Sequence, residues 1–130
     1  MIQKNIDNLR RLVAVAGGER QPDLVITDVS ILDVFTESVF HGNIWVSQSW
    51  IAYVGEKRPD IGPATVVVDG SGRVAVPGYI DAHGHADLYY NPATFADFAV
   101  TRGATTVFSD GHDMVNSIGI EGFKEVLRRG

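Results

Sequence analysis

The feature of this sequence that most limits its fold is a change of hydrophobic pattern at residue 76. Residues 23–76 contain short runs of β-branched and aromatic residues separated by turn residues, which is typical of an all-β unit. From residue 77 onward, apolar strand-like runs alternate with helix-like segments, and this order predicts parallel strands joined by crossover helices. The chain is therefore expected to contain two different kinds of structure that meet near residue 76.

The part before residue 76 is predicted to form a helix and a small β-domain. Apolar residues recur at helical spacing over 5–16, and Gly17 and Gly18 are expected to end the helix. We therefore assign an N-terminal helix to residues 1–17 and a β-sandwich-like domain to residues 18–76. Its strands are predicted at 24–27, 31–35, 38–47, 50–55, 65–70 and 73–78. The clearest hairpin signal is the sequence Asp69-Gly70-Ser71-Gly72.

The part after residue 76 is predicted to be strand, helix, strand, helix. GYIDAH at 78–83 is the first strand, and Asn91-Pro92 starts a helix because asparagine caps and proline suits the first helical position. A second strand is predicted at 104–110 and a last helix at 119–129. Residues 77–130 are too few to close an α/β barrel of about 250 residues, so the chain is expected to be a fragment.

Composition excludes several classes of protein. A hydrophobic fraction of 45% with 21% charged residues is typical of a globular protein, and the net charge of −5 argues against broad binding to nucleic acid. The chain has no cysteine, so a metal ion would need His, Asp or Glu as ligands. No apolar segment approaches the roughly 20 residues of a membrane span, and no signal core follows the N-terminus. We expect a cytoplasmic protein without membrane partners.

The residues that indicate chemistry lie in PGYIDAHGH at 77–85. Side chains alternate along a strand, so Asp81, His83 and His85 are expected on one face, at the carboxyl end where α/β barrels place their active sites. Two imidazoles one strand repeat apart can hold one divalent ion. His83 and His85 are therefore the predicted metal ligands, with Asp81 as a candidate ligand or acceptor for an imidazole.

The same nine residues resemble the first barrel-strand signature of the amidohydrolase superfamily. LVITDVSILDVFTESVFHGNI and IAYVGEKRPDIGPAT resemble the N-terminal β-unit of adenine deaminases. NPATFADFAVTRGATTVFSDGHDMVNSIGIEG resembles the segment that follows their first strand. The resemblance covers nearly the whole chain, and its wider part is specific to adenine deaminases and their close paralogues.

The resemblance implies a composite β-domain followed by a (β/α)8 TIM-type metal-dependent hydrolase barrel, of which residues 77–130 would be the start. It implies one or two divalent ions (Mn, Fe or Zn), the first held by His83 and His85. The reaction implied is adenine plus water to hypoxanthine plus ammonia, a step of purine metabolism. The general base is expected on a later strand, so these 130 residues alone are expected to be inactive. The full-length protein is expected to bind a small heterocycle and to be able to form a homo-oligomer.

Two departures from the adenine deaminase pattern lie near the expected site. The second strand ends in Asp110-Gly111-His112-Asp113, where these enzymes typically have Asp-Pro-His-Glu, so His112 and Asp113 are candidate metal or outer-shell residues. After the histidines come Ala86 and Asp87 in place of Glu-Ser, followed by Tyr89 and Tyr90. The two tyrosines are candidates for stacking on a flat ring, or for packing under the loop.

Two other functions compete with the deaminase hypothesis. The first keeps the superfamily and changes the reaction to cyclic amide hydrolysis, as in dihydroorotases and hydantoinases. The second is a non-catalytic truncated product.

Overall fold

A computed structural model of the protein describes residues 2–85 and 91–129. These residues form two compact units, Met1–Val76 and Pro77–Gly130. The elements follow one another along the chain as α1 (Ile2–Gly17), β1 (Leu24–Asp33), β2 (Ser38–Ser47), β3 (Trp50–Gly55), β4 (Val66–Asp69), β5 (Val74–Ala75), β6 (Tyr79–Gly84), α2 (Pro92–Val100), β7 (Ala104–Ser109) and α3 (His112–Arg129). None of the helices in the described ranges is long and apolar enough to cross a lipid bilayer.

The first unit contains one mixed sheet with the strand order β3-β2-β1-β4. Strands β1, β2 and β3 pair antiparallel, whereas β4 and β5 both pair with β1 in parallel. Helix α1 packs against β2 and β3. The predicted sandwich-like arrangement is therefore wrong for the described residues, because a helix and not a second sheet supplies the covering layer.

The core of the first unit lies between α1 and the sheet. Val15 of α1 and Val25 of β1 are fully buried, and Trp45 of β2, which pairs with Val25, is 3% exposed. Arg11 joins the helix to the sheet, since its Nε donates to Ser47 Oγ at 3.2 Å and its guanidinium pairs with Asp23. The predicted helix and its end at Gly17–Gly18 are confirmed, and Gly18 has the left-handed φ of 83°.

Strand β1 is continuous where the sequence predicts two strands. A register shift between Ile26 and Val29 absorbs Asp28, whose φ is 52°. The backbone N–H of Asp28 donates to Oδ1 of Asn43 at 3.2 Å, and Asn43 is 4% exposed. A buried amide thus satisfies the backbone group that the irregularity removes from the ladder, which is why β1 passes through this point without ending.

The predicted hairpin at Asp69–Gly72 is also wrong. A tight turn is present, because Arg73 N donates to Gly70 O at 2.9 Å and Ser71 N donates to Asp69 Oδ1 at 2.9 Å. The strands on its two sides do not pair with each other, and each pairs in parallel with a successive part of β1. The turn connects two short strands that lie one after the other along β1, and it lies opposite the irregularity in that strand.

Gly70→Ala is expected to destabilise the chain by about 1–3 kcal/mol, because a Cβ there overpacks the sheet. It would lie 2.6 Å from Val29 Cβ and 2.7 Å from the backbone oxygen of Thr27. Gly17→Ala is the matched control, since the nearest atoms to its Cβ are 3.9 Å away. Chemical unfolding followed by far-UV circular dichroism measures both variants. Equal stability of the two would contradict the close approach at Gly70.

The second unit consists of β6 and β7, which pair in parallel as predicted, and two helices. Asn91 caps α2 by accepting from Thr94 N at 2.8 Å, and Pro92 occupies the first turn, which confirms the predicted start. Helix α3 begins at His112, seven residues earlier than predicted, and contains a break at Gly119, where φ is 70° and ψ is 172°. An apolar cavity of about 540 Å³ has lining residues from α2, β7 and α3, among them Phe95, Val107 and Phe123.

Candidate metal centre

The candidate site lies at the carboxyl ends of β6 and β7. Because these strands run parallel and pair directly, the residues that end them share one edge of the sheet. His83 is the second-last residue of β6 and His85 directly follows the strand, while Asp110 directly follows β7. Asp113 then falls in the first turn of α3, where a carboxylate suits the helix dipole.

The first group of donor atoms comes from His83, His85 and Asp110. One nitrogen of each histidine and one carboxylate oxygen of Asp110 lie within 4.8 Å of one another. The two imidazoles meet edge to face, with centroids 4.8 Å apart and planes at 89°. Donors around a tetrahedral ion with bonds of about 2.1 Å are roughly 3.4 Å apart, so small side-chain rotations would close this group on an ion.

A second group shares His85 with the first and adds His112 and Asp113. Its three donor atoms also lie within 4.8 Å of one another. Asp110 stands between the two histidines, with Oδ1 3.3 Å from His85 Nδ1 and Oδ2 2.9 Å from His112 Nδ1. The five side chains, three imidazoles and two carboxylates, therefore form one continuous cluster.

The surroundings of Asp110 favour its charged form. The side-chain hydrogen bond from His112 is the main reason that the pKa of Asp110 is lowered from its ordinary value of 3.8, and burial opposes it. A lowered pKa in the folded state means that this stabilising contact is complete above the ordinary carboxyl pKa. It is lost as the pH falls through the lower, folded value. At neutral pH Asp110 is thus an anion facing two imidazoles.

The chemistry of the donors fits a divalent metal ion. Nδ1 of His85 is inaccessible to solvent and makes no hydrogen bond within the described residues, although it lies at ion-pair distance from Asp110. A buried ring nitrogen without a hydrogen bond is costly unless a cation or another donor satisfies it. Two imidazoles with carboxylate oxygens suit Mn, Fe or Zn. The residues at this site therefore fit the divalent metal ion that the sequence predicts.

Four of the predicted site residues come together in the structure: His83, His85, His112 and Asp113. Asp81 belongs to neither donor group, because its Oδ1 accepts from the backbone N–H of His83 at 3.2 Å. Tyr89 and Tyr90, with Ala86 and Asp87, lie outside the described residues.

Sequence reasoning did not select Asp110 as a site residue. Its position directly after the second parallel strand was the available signal, because that position places it at the sheet edge of His83 and His85.

Comparison with known proteins identifies relatives in sequence. The chain is 42% identical over 122 residues to an adenine deaminase of Cenarchaeum symbiosum, which covers 92% of the chain and 20% of that protein. It is 39% identical over 127 residues to an adenine deaminase of Paracoccus denitrificans, with coverage of 95% and 21%. The chain thus spans about a fifth of the length of these relatives. No protein-family model matches the chain.

Solved structures resemble the chain over part of its length. One is the N-acyl-D-glutamate deacylase of Bordetella bronchiseptica in complex with zinc and a phosphonate inhibitor. Its TM-score is 0.54 at 30% identity, covering 68% of this chain and 18% of that one. A D-hydantoinase (dihydropyrimidinase) from Thermus sp. has a TM-score of 0.56 at 23% identity, covering 74% and 24%, and shows the fold alone. The predicted resemblance to amidohydrolases, and among them to adenine deaminases, is confirmed.

Proposed function

We propose that this chain, a relative of the adenine deaminases over nearly all its residues, is the first part of a metal-dependent aminohydrolase. The reaction proposed replaces an exocyclic amine of a purine with oxygen, as in adenine plus water to hypoxanthine plus ammonia. The observation that carries the proposal is the convergence of His83, His85 and Asp110 at the carboxyl ends of two parallel strands. Sequence identity of 34–42% to adenine deaminases supports the choice of substrate class.

His83 and His85 are the metal ligands in this proposal, and Asp110 is the carboxylate that shares a donor group with both. When bound, a divalent ion (Mn, Fe or Zn) makes water acidic enough to act as a nucleophile near neutral pH. Asp110 has a second task, because it accepts from His112 Nδ1 at 2.9 Å and so fixes the orientation of that ring. Asp113 Oδ1, 3.4 Å from His112 Nε2, holds the other side of the same imidazole.

The architecture proposed is a small β-domain followed by a (β/α)8 barrel. Residues 1–17 would be the leading helix, 18–76 the β-domain and 77–130 the first two βα units of the barrel. Parallel pairing of β6 with β7 supports the barrel, as do the two amidohydrolase structures that resemble the chain. The general base is assigned to a later strand. Three further expectations stay predictions: a cytoplasmic location, a homo-oligomeric full-length protein, and the absence of nucleic-acid or membrane partners.

Ammonia release tests the substrate class. The full-length protein, loaded with Mn, Fe or Zn, is expected to release ammonia from adenine or another aminopurine. A bound ion would activate water as the nucleophile, and the chain is 34–42% identical to adenine deaminases. Aminopyrimidines, dihydroorotate and a hydantoin complete the substrate panel, and a chelator-treated sample is the metal-free control. Ring opening of dihydroorotate or the hydantoin, without ammonia from any amine, would replace the proposal with a cyclic amide hydrolase.

A further inference from the structure

Strand β6 has one extra residue just before the candidate metal centre. Asp81 pairs with Val107, and the next registered pair is Gly84 with Ser109, so three steps along β6 match two steps along β7. An extra residue in one strand takes a backbone group out of the ladder and changes the direction of the side chains that follow. His83 falls inside this bulge, so its direction depends on how the bulge is held.

The side chain of Asp81 satisfies the backbone group at this bulge. Its Oδ1 accepts from the N–H of His83 at 3.2 Å. Its Oδ2 lies on the side of the strand that Gly84 faces, since a Cβ built on Gly84 would be 3.5 Å from that oxygen and 3.5 Å from Val107 Cγ1. Val107 in turn lines the apolar cavity whose other walls come from the helices.

This placement separates Asp81 from the metal-binding side chains. Neither donor group contains Asp81, and its Oδ1 accepts from the backbone N–H of His83. Strict alternation does not continue through a bulge, so the spacing of Asp81, His83 and His85 does not by itself place their side chains on one face.

We propose that Asp81 is a positioning residue: by accepting from the N–H of His83 it holds the β6 bulge, and the bulge directs His83 and His85 toward Asp110. Asp81 then acts through the backbone, neither as a ligand nor as an acceptor for an imidazole. The inference rests on the proposed metal site. It requires only an acceptor oxygen at this position, which a carboxamide also supplies.

Manganese affinity of the full-length protein tests this role, with Mn²⁺ as the probe in competition with a fluorescent chelator. Asp81→Ala is expected to bind Mn²⁺ about 10-fold more weakly, the loss typical of an outer-shell partner. Asp81→Asn keeps the acceptor oxygen and is expected to stay within about twofold of the wild type. The visible absorption spectrum of bound Co²⁺, which reports ligand geometry, is expected to change in Asp81→Ala and to match the wild type in Asp81→Asn.

Asp69→Ala is the matched control, since Asp69 Oδ1 makes the same bond to the N–H two residues ahead, at 2.9 Å, in the other unit. Its Mn²⁺ affinity is expected to be unchanged. Weak binding in Asp81→Asn would overturn the inference by pointing to the charge, and it decides the matter even if Asp81→Ala fails to fold. Wild-type Mn²⁺ affinity in Asp81→Ala would overturn the positioning role of Asp81 and leave the metal site standing. A wild-type protein that binds no Mn²⁺ would overturn the metal site together with it.

Discussion

His85→Ala is expected to remove bound metal and to lower the proposed deaminase activity of the full-length protein by more than about 100-fold, beyond the loss of an outer-shell partner. His85 is the residue that the two donor groups share, and its Nδ1 is buried without a hydrogen bond among the residues that the structure describes. Alanine therefore removes a donor from both groups at once. Elemental analysis of the purified protein and the ammonia assay measure the two losses.

His41→Ala is the control for the loss of a histidine as such. His41 lies in the first unit with a side chain that is 64% exposed, so its removal is expected to leave metal content and activity unchanged. Circular dichroism checks that both variants fold. A His85→Ala protein that retains its full metal content would show that the ion binds at another site.

Trp45→Ala is expected to destabilise the chain by about 3–5 kcal/mol, the usual cost of deleting a buried tryptophan ring. Trp45 is 3% exposed, lies opposite the fully buried Val25 and packs on Tyr53 with ring centroids 4.3 Å apart. Its Nε1 is buried without a hydrogen-bond partner in the described residues, so Trp45→Phe removes a costly polar group and is expected to lose less than about 1.5 kcal/mol.

Trp50→Ala provides the comparison within the same hairpin. Trp50 is 63% exposed, so its loss is expected to change stability by no more than about 0.5 kcal/mol. Urea unfolding followed by far-UV circular dichroism suits all three variants, because that signal does not depend on tryptophan. Equal destabilisation by Trp45→Ala and Trp50→Ala would contradict the packing of α1 on this face of the sheet.

Local signals predicted much of the secondary structure. The bounds of β2 and β3 agree with their patterns because turns or bends flank both strands. Asn91 and Pro92 fixed the start of α2 because capping is a local interaction. The pairing of strands was harder: nothing in Asp69–Gly72 indicates that β4 and β5 both lie along β1, because that choice depends on contacts distant in the sequence.

The site was predictable as far as strand periodicity holds. His83 and His85 follow from spacing, and the parallel pairing of β6 and β7 brings His112 and Asp113 to them. The hydrogen bond from the backbone of His83 to Asp81 was not predicted, because a bulge has no clear signature in a single sequence. Asp110 was overlooked because its role depends on the neighbouring strand, and its own surroundings in the sequence are those of an ordinary loop.

The short span of chain that carries the cluster has a consequence for folding. Helix α2 lies between strands β6 and β7 along the chain, and the donors of both groups fall between His83 and Asp113. A connection of this length costs less loop-closure entropy than a pairing between strands that lie farther apart in the chain. The ligands on these two strands therefore meet without waiting for distant segments of the polypeptide. An ion that binds only the paired strands shifts the folding equilibrium toward them by mass action, so metal capture and nucleation of the second unit are thermodynamically linked.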